Sequence, residues 1–207
     1  VVFRIGSEGD QAGLLKEPVD VAVGPAGLVY VLDKGRKGVQ VFSLDGTFLD
    51  DILFPVYAKD PRALAVGPSG RIYMADKELP GSLIELPDLT EALSAVDAPA
   101  SGTDNLALRG GTLRDPVAVV VTPPGTVVAA DRDSGVLWSA DGTGATPVGS
   151  DDRLYGGKGS GRGSFRKLVD VALAGADELV MLDRDDRKVE RVRLVLEAGR
   201  PSEPPQD

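Results

Sequence analysis

The sequence predicts an all-β fold, a β-propeller of four-stranded antiparallel blades, on three observations. The sixteen residues Pro18–Asp33 (PVDVAVGPAGLVYVLD) return without a gap as Pro61–Asp76 (PRALAVGPSGRIYMAD), Pro116–Asp131 (PVAVVVTPPGTVVAAD) and, eroded, Leu168–Asp183 (LVDVALAGADELVMLD). Each copy reads as a short apolar strand, a turn, a second apolar strand and a closing aspartate, and two strands per unit at a period of several tens of residues point to radial or solenoid repetition. The 26 glycines and 15 prolines sit between apolar runs, as many short strands joined by turns require.

The first unit has four strands: Val19–Val23, Leu28–Leu32, Gly38–Leu44, which alternates apolar and polar residues, and Thr47–Leu53. Between the last two stands Asp45-Gly46, a pair that tolerates the positive φ angles of a tight hairpin. Four successive strands joined in this way make an antiparallel meander, which is one blade. In the second unit Ser82–Leu86 is the third strand and Thr90–Val96 the fourth. In the third unit Gly135–Ala140 leads through the Asp141-Gly142 turn to Ala145–Val148. The last unit has a third strand at Lys188–Val195, followed by residues 196–207, too rich in proline and charge for a strand and expected to be a disordered tail. That unit lacks an outer strand, whereas the chain opens with an unassigned one, Val1–Ile5. Closing the last blade with it would hide two sheet edges, so residues 1–195 are expected to form one propeller domain.

Composition narrows the chemistry. The chain of 207 residues carries a net charge of −9, which counts against binding that works by neutralising phosphates. No apolar run approaches the length of a membrane helix, so membrane insertion is not expected. Cysteine and histidine are both absent. That removes thiolate catalysis, zinc–sulfur sites, the commonest general base and the commonest metal ligand together. The lack of cysteine leaves the compartment open, with a periplasmic or extracellular one favoured over the cytoplasm.

The linkers between units carry a second signature. A glycine stands five positions before the first residue of three units, at Gly13, Gly111 and Gly163. The pattern G-x-x-G-x-x-x-G-x-[LF]-x-x-P, then apolar-x-apolar, G-x-x-G, apolar-Y-V-x-D and VQVF-x-x-DG, resembles the NHL repeat. Three units match well, and the fourth keeps the spacing without the proline and turn glycine. The resemblance covers most of residues 1–195 and implies a propeller of six blades, sometimes five. Only four units are visible, which leaves a ring complete at four blades, a piece of a larger one, or edges covered by a partner. The first residues of the units, at 18, 61, 116 and 168, are unevenly spaced, with room for decorated linkers and not for a hidden blade.

Among candidate functional residues, the repeated Asp33, Asp76, Asp131 and Asp183 are acids of the kind that hold calcium. Recurrence in every unit favours a structural role, capping the turn by accepting backbone N–H groups. Each is followed by a base: Lys34, Lys77, Arg132 and Arg184. Two positions before each unit there is another, Lys16, Lys59, Arg114 or Arg166, and one position before stands Glu17, Asp60, Asp115 or, out of pattern, Lys167. These residues should form a ring of alternating charge on one face, either an inter-blade salt-bridge network or a candidate contact face for an anionic or zwitterionic partner. The fourth unit, with Lys167 and a turn lengthened by RDDRK (184–188), is the best place for a specific contact. Gly156–Gly163 lacks the spacing and following helix of a phosphate cradle and reads as a flexible linker. Trp138, at a position equivalent to Val41 or Phe42, and the recurrent Tyr30 and Tyr73 read as packing residues. The acid pairs Asp50-Asp51, Asp151-Asp152 and Asp185-Asp186 lie on turns, where solvation explains them.

The resulting expectation is a non-enzymatic interaction or scaffold module with a protein partner, as a subunit of a larger assembly and without a cofactor or catalytic set. The alternative is a hydrolase or lyase with carboxylate-held calcium in the central channel. RNA recognition, which some NHL domains perform, is disfavoured by the acidic balance and the scarcity of aromatics.

Overall fold

The computed structural model describes residues 4–54, 58–78, 83–86, 113–132, 137–140, 145–147, 157–160 and 163–193, with backbone alone at 137–140, 145–147 and 157–158. Four antiparallel sheets account for most of it. The first contains β1 (Pro18–Val23), β2 (Val29–Asp33), β3 (Gly38–Phe42) and β4 (Phe48–Leu53) in that order. The second contains β5 (Pro61–Val66), β6 (Ile72–Asp76) and β7 (Leu83–Leu86). β8 (Pro116–Val121), β9 (Val127–Asp131), β10 (Leu137–Ala140) and β11 (Ala145–Pro147) form the third. A parallel pair, β12 (Gly157–Lys158) and β13 (Ser164–Phe165), precedes the fourth, which is β14 (Leu168–Leu173), β15 (Glu178–Asp183) and β16 (Lys188–Arg193). Each sheet is a meander, as a propeller blade is, and the fold is a β-propeller. The expected fourth strand at 90–96 and the tail at 196–207 lie outside the described residues.

Repetition extends to backbone detail. In every blade the pairing of the first two strands shifts after one residue, between Pro18 and Asp20, Pro61 and Ala63, Pro116 and Ala118, and Leu168 and Asp170. A bulge at one position bends each innermost strand alike, so β1, β5, β8 and β14 pack side by side in sequence. Their far ends, Val23, Val66, Val121 and Leu173, line one cavity of about 220 Å³ together with Pro25, Pro68 and Pro123.

Apolar alternation places the core between sheets. Tyr30, Leu32, Val39 and Val41 of the first blade pack on Leu64, Ile72, Met74 and Ile84 of the second. Ala63, Tyr73, Ala75 and Leu83 pack on Leu113, Val119, Val127 and Ala129 of the third. Ala118, Val128 and Ala130 pack on Phe165, Val171, Leu179 and Met181 of the fourth. Tyr30 and Tyr73 thus occupy one position in successive joints, as packing residues. The Tyr30 ring fills the space beside Gly24, where a Cβ would meet it at 2.7 Å.

Several expectations are corrected. The tight hairpin expected at Asp45-Gly46 is present, with one difference of detail: Gly46 and not Asp45 has positive φ (90°), its N–H reaches the Ser43 carbonyl, and Ser43 N–H reaches that of Thr47. This is a three-residue loop with a left-handed glycine last, the geometry that lets a type I turn meet twisted strands. The turn at 184–188 is not lengthened, because Asp183 pairs with Lys188 as Asp33 pairs with Gly38. Trp138 pairs with Ala129 as Gln40 pairs with Val31, so its counterpart is Gln40 and not Val41 or Phe42. Ile5 does not join β16; it packs with Leu15 and Phe48 against Val29, Val31 and Phe42 of the first blade, whose outer apolar surface it covers. Residues 1–3 of that expected closing strand lie outside the described residues.

The linkers are also more ordered than their glycines suggest. In the first, Glu8 bridges Leu15 in parallel, with hydrogen bonds from Gly9 N–H to the Leu15 carbonyl and from Leu15 N–H to that of Ser7. In the last, Lys158 bridges Phe165 in the same sense, and Gly159 N–H reaches the Phe165 carbonyl. The described part of Gly156–Gly163 is therefore a hook that seats an apolar side chain at the start of its blade.

Candidate interaction face

The repeated aspartates build the face on which the charges stand. Each is buried, at the end of the second strand of its blade. Asp33 accepts backbone N–H bonds from Lys16 (2.7 Å), Glu17 (2.9 Å) and Arg36 (3.1 Å). Asp76 accepts from Lys59, Asp60 and Glu78, and Asp131 from Arg114 and Asp115. Asp183 accepts from Arg166, Lys167, Asp185 and Asp186. A carboxylate there ties the chain entering the innermost strand to the turn leaving the second, which is why the residue recurs. Burial opposes ionisation of Asp183, but the N–H groups of Arg166, Asp186, Lys167 and Asp185 outweigh it and hold its carboxyl below the usual range.

This lock brings the flanking charges to the same end of each blade. Lys34, which follows Asp33, reaches forward to Asp60 of the second blade at 2.8 Å. Lys77 reaches forward to Asp115 of the third blade at 3.4 Å. At the next step the forward acid is replaced by Lys167, and Arg132 instead turns back to Asp115 of its own blade at 3.0 Å. The Nε of Arg132 is buried without a hydrogen-bond partner. Burial opposes ionisation of Asp60, while Lys34 and Arg62 outweigh it and lower its carboxyl from the ordinary value.

The remaining predicted residues divide similarly. Lys16 pairs with Asp10 at 2.7 Å, Arg166 with Asp186 at 3.1 Å and Arg184 with its neighbour Asp185 at 3.2 Å. Lys59, Arg114 and Lys167 make no ion pair among the described residues. Two of the nine predicted bases, Lys34 and Lys77, are therefore engaged in joints between blades. At the step from the third blade to the fourth a base, Lys167, stands where the other steps have Asp60 and Asp115.

A second set of contacts was missed by sequence reasoning. Gln40 is fully buried, accepts the Gly13 N–H at 2.8 Å and donates to the Leu14 carbonyl at 2.7 Å. Its counterpart in the fourth blade, Glu190, accepts the Gly163 N–H at 3.0 Å. The glycine five positions before the unit was visible, and a polar residue 22 positions after the unit's first residue in the same two units was the signal available to find its partner.

Near the axis, the Asp20 carboxylate accepts the Leu64 N–H at 2.7 Å and its own neighbour's, Val21, at 2.8 Å. Burial pushes its carboxyl up, the two backbone bonds work against that, and the charge of Asp170 adds to the rise. Among the described residues, no three acidic side chains converge as a metal ligand set.

Residues 15–42, from the first linker hook through β3, match the NHL repeat family. No curated protein matches the chain. Similar solved structures include dihydro-heme d1 dehydrogenase NirN in complex with DHE, at 21% identity over 84% of this chain and 34% of that one, with a TM-score of 0.55. A nidogen/laminin complex is similar at 16% identity over 87% of this chain and 60% of the other, with a TM-score of 0.58. Hydrazine synthase of Kuenenia stuttgartiensis is similar at 15% identity over 95% and 53%, with a TM-score of 0.51. The chain thus spans between about a third and three fifths of those solved chains. At such identities the likeness is one of fold.

Proposed function

We propose that this β-propeller, with its NHL repeat, is a non-catalytic interaction module that holds a protein partner through the basic edge between its third and fourth blades. The partner contributes an acidic segment. The observation that carries the reading is the break at Lys167. The other two internal joints close with a base-to-acid bridge, whereas here Arg132 turns back to Asp115 of its own blade, keeps a buried, unpartnered Nε, and has Lys167 at the position of the forward acid. An acidic side chain from outside would supply what position 167 supplies elsewhere, and charge complementarity of this kind sets specificity and on-rate. Similarity to a nidogen/laminin complex supports the use of such a fold for holding a protein. An extracytoplasmic setting is proposed with this reading, and a chain without cysteine is compatible with either redox environment. Among the described residues no helix is long and apolar enough to cross a membrane.

Fluorescence anisotropy with a short labelled polyglutamate peptide tests the reading. Binding should weaken steeply as salt rises, vanish in Lys167→Glu and persist in Lys16→Glu, which changes a base on the first blade. Undetectable binding at low salt, or equal binding by both variants, would overturn it. Stronger, salt-dependent binding of single-stranded RNA would replace it with the nucleic-acid alternative.

A further inference from the structure

The two ends of the propeller differ in chemistry. The ring of charges stands where β1, β5, β8 and β14 begin, whereas the far ends of those strands run into turns without a charge. These are Gly-Pro-Ala-Gly-Leu at 24–28, Gly-Pro-Ser-Gly at 67–70, Thr-Pro-Pro-Gly-Thr at 122–126 and Ala-Gly-Ala at 174–176. The first charged residues beyond two of them, Arg71 and Asp177, are paired with Glu85 and Arg193. Inside this neutral rim lies the cavity of about 220 Å³, walled by Val23, Val66, Val121 and Leu173 and edged by the exposed rings of Pro25, Pro68 and Pro123. It opens to solvent. Val23 is 63% and Leu173 40% exposed, as is Val21 on the same strand at 60%, and Leu44, 60% exposed, lies against Gly27 and extends the apolar surface.

Each wall of the cavity also offers unpaired backbone. The residue after each wall residue bonds to the second strand of its blade: Gly24 N–H to the Leu28 carbonyl at 2.9 Å, Gly67 to Arg71 at 2.8 Å, Thr122 to Thr126 at 2.9 Å and Ala174 to Glu178 at 2.8 Å. Such bonds alternate along an antiparallel strand. The N–H and carbonyl of Val23, Val66, Val121 and Leu173 therefore point away from the second strand, toward the axis. The same alternation sends the N–H groups of Val21 and Leu64 there, and the Asp20 carboxylate accepts both. At the cavity no carboxylate stands in, and these backbone groups have no partner among the described residues.

We infer that this cavity seats one aromatic side chain with a polar tip, tryptophan or tyrosine, presented by an uncharged segment of a protein partner. The volume admits one large side chain and falls short of the pockets of drug-sized molecules, which start at about 300 Å³. An open depression buries little of a free small molecule, whereas a side chain on a protein surface brings with it the residues that cover the rest. Valine and leucine walls with proline edges accept a flat ring, and the free backbone groups meet the N–H or O–H that Trp and Tyr must satisfy once buried. An aliphatic side chain would expel water from those groups and leave them without bonds. A charged one would lose its own water with no counter-charge in the lining. The site lies at the opposite end from Lys167, and neither reading depends on the other.

Methyl NMR of the full chain, titrated with blocked neutral peptides, tests it. Acetyl-Gly-Gly-Trp-Gly-Gly-amide should shift the methyl signals of Val23, Val66, Val121 and Leu173 saturably. N-acetyl-tryptophanamide should bind more weakly, because it lacks the flanking chain. The pentapeptide with 1-methyltryptophan keeps the ring, loses the N–H and should bind about fivefold more weakly, the effect of one hydrogen bond. The pentapeptide with glutamate at the centre should leave these signals unmoved. Val23→Arg and Leu173→Arg change exposed residues on the first and last innermost strands, so each should abolish binding with Tm unchanged, while Lys167→Glu should bind as the parent chain does. Absence of saturable shifts, equal binding of the methylated peptide, or binding retained in both arginine variants would overturn the inference. So would equal affinity for the amide and the pentapeptide, which marks a small-molecule site, or the same shifts on raising protein concentration alone, which marks self-association.

Discussion

Lys34 donates from Nζ to Asp60 Oδ1 at 2.8 Å across the joint between the first and second blades, and Lys77 meets Asp115 in the same way across the next. Lys34 is about a third exposed and Asp60 largely buried, so solvent screens the pair in part and its coupling is modest. A double-mutant cycle on Lys34→Ala and Asp60→Ala should show a small favourable coupling that disappears at high salt. The cycle on Arg132 and Lys167 should show none, or a repulsive one, and Lys167→Glu should reverse its sign. Thermal melts at two salt concentrations decide the matter, and equal couplings at the two joints would remove the distinction on which the proposed face rests.

The buried aspartates should matter far more. Asp76 takes both N–H groups of Lys59 and Asp60 on Oδ2 and that of Glu78 on Oδ1. Asp76→Ala leaves three part-buried backbone donors without an acceptor; each costs roughly 1 kcal/mol or somewhat more once water replaces part of the lost bond, so the total should be about 2–4 kcal/mol. Asp76→Asn keeps one acceptor oxygen and should cost about half as much. Urea unfolding measures both, and a loss within the scatter of surface variants would mean that the lock is not structural.

Acid should loosen the fold through these same groups. The folded-state carboxyls of Asp183 and Asp60 lie below their ordinary value. A depressed acid contributes stability that is present above its unfolded pKa, about 3.9, and is lost as pH falls toward the folded pKa. Stability should therefore hold between pH 7 and 5 and decline below about pH 4. Asp183→Asn should flatten that decline while lowering stability at neutral pH. A decline beginning near pH 6 would contradict this assignment, since the chain has no histidine to titrate there.

Asp20 runs the other way. Its carboxyl is raised by burial, with Asp170 adding to the rise. Its protonated form is favoured on folding, so its contribution is fully present below the unfolded pKa and is lost as pH climbs through the folded one. An NMR titration should place the Asp20 carboxyl above the usual aspartate value, and Asp170→Asn should bring it down. A carboxyl at or below the usual value would mean that water relieves the burial of Asp20.

What could be read from the sequence was whatever the chain repeats. The strand–turn–strand core and the aspartates that close it recur at fixed spacing, so Asp33 and its counterparts could be assigned to turn capping before any coordinate existed. The forward bridge from Lys34 to Asp60 was foreshadowed by alternating charge, and the broken step at Lys167 was visible as a departure from it. The face that Val21 leaves open was not legible, because a strand buried on both sides and one buried on a single side carry the same apolar run. Ile5 misled for a related reason. An orphan strand pattern records apolar character and not which blade it will meet. Trp138 stands 22 positions after the first residue of its unit, as Gln40 does, so its true counterpart could have been counted from the repeat itself.

Gln40 was overlooked because its partners lie 26 and 27 residues away and share no motif with it. It is the one neutral polar side chain placed inside the first blade's leading face, and the physical reason is the linker hook. Gly13, with φ of 82°, turns its N–H inward, and Leu14 turns its carbonyl the same way. One amide side chain satisfies both. Gln40→Leu keeps the volume and strands a buried donor and a buried acceptor, at a cost of about 1–3 kcal/mol. Gln40→Glu should lose less, since a carboxylate still accepts from Gly13, as Glu190 does from Gly163. Hydrogen exchange at the Gly13 amide separates a local from a global effect: it should accelerate in Gln40→Leu and stay slow in Gln40→Glu. Equal exchange in the two variants would show that the hook is held by Leu15 packing alone.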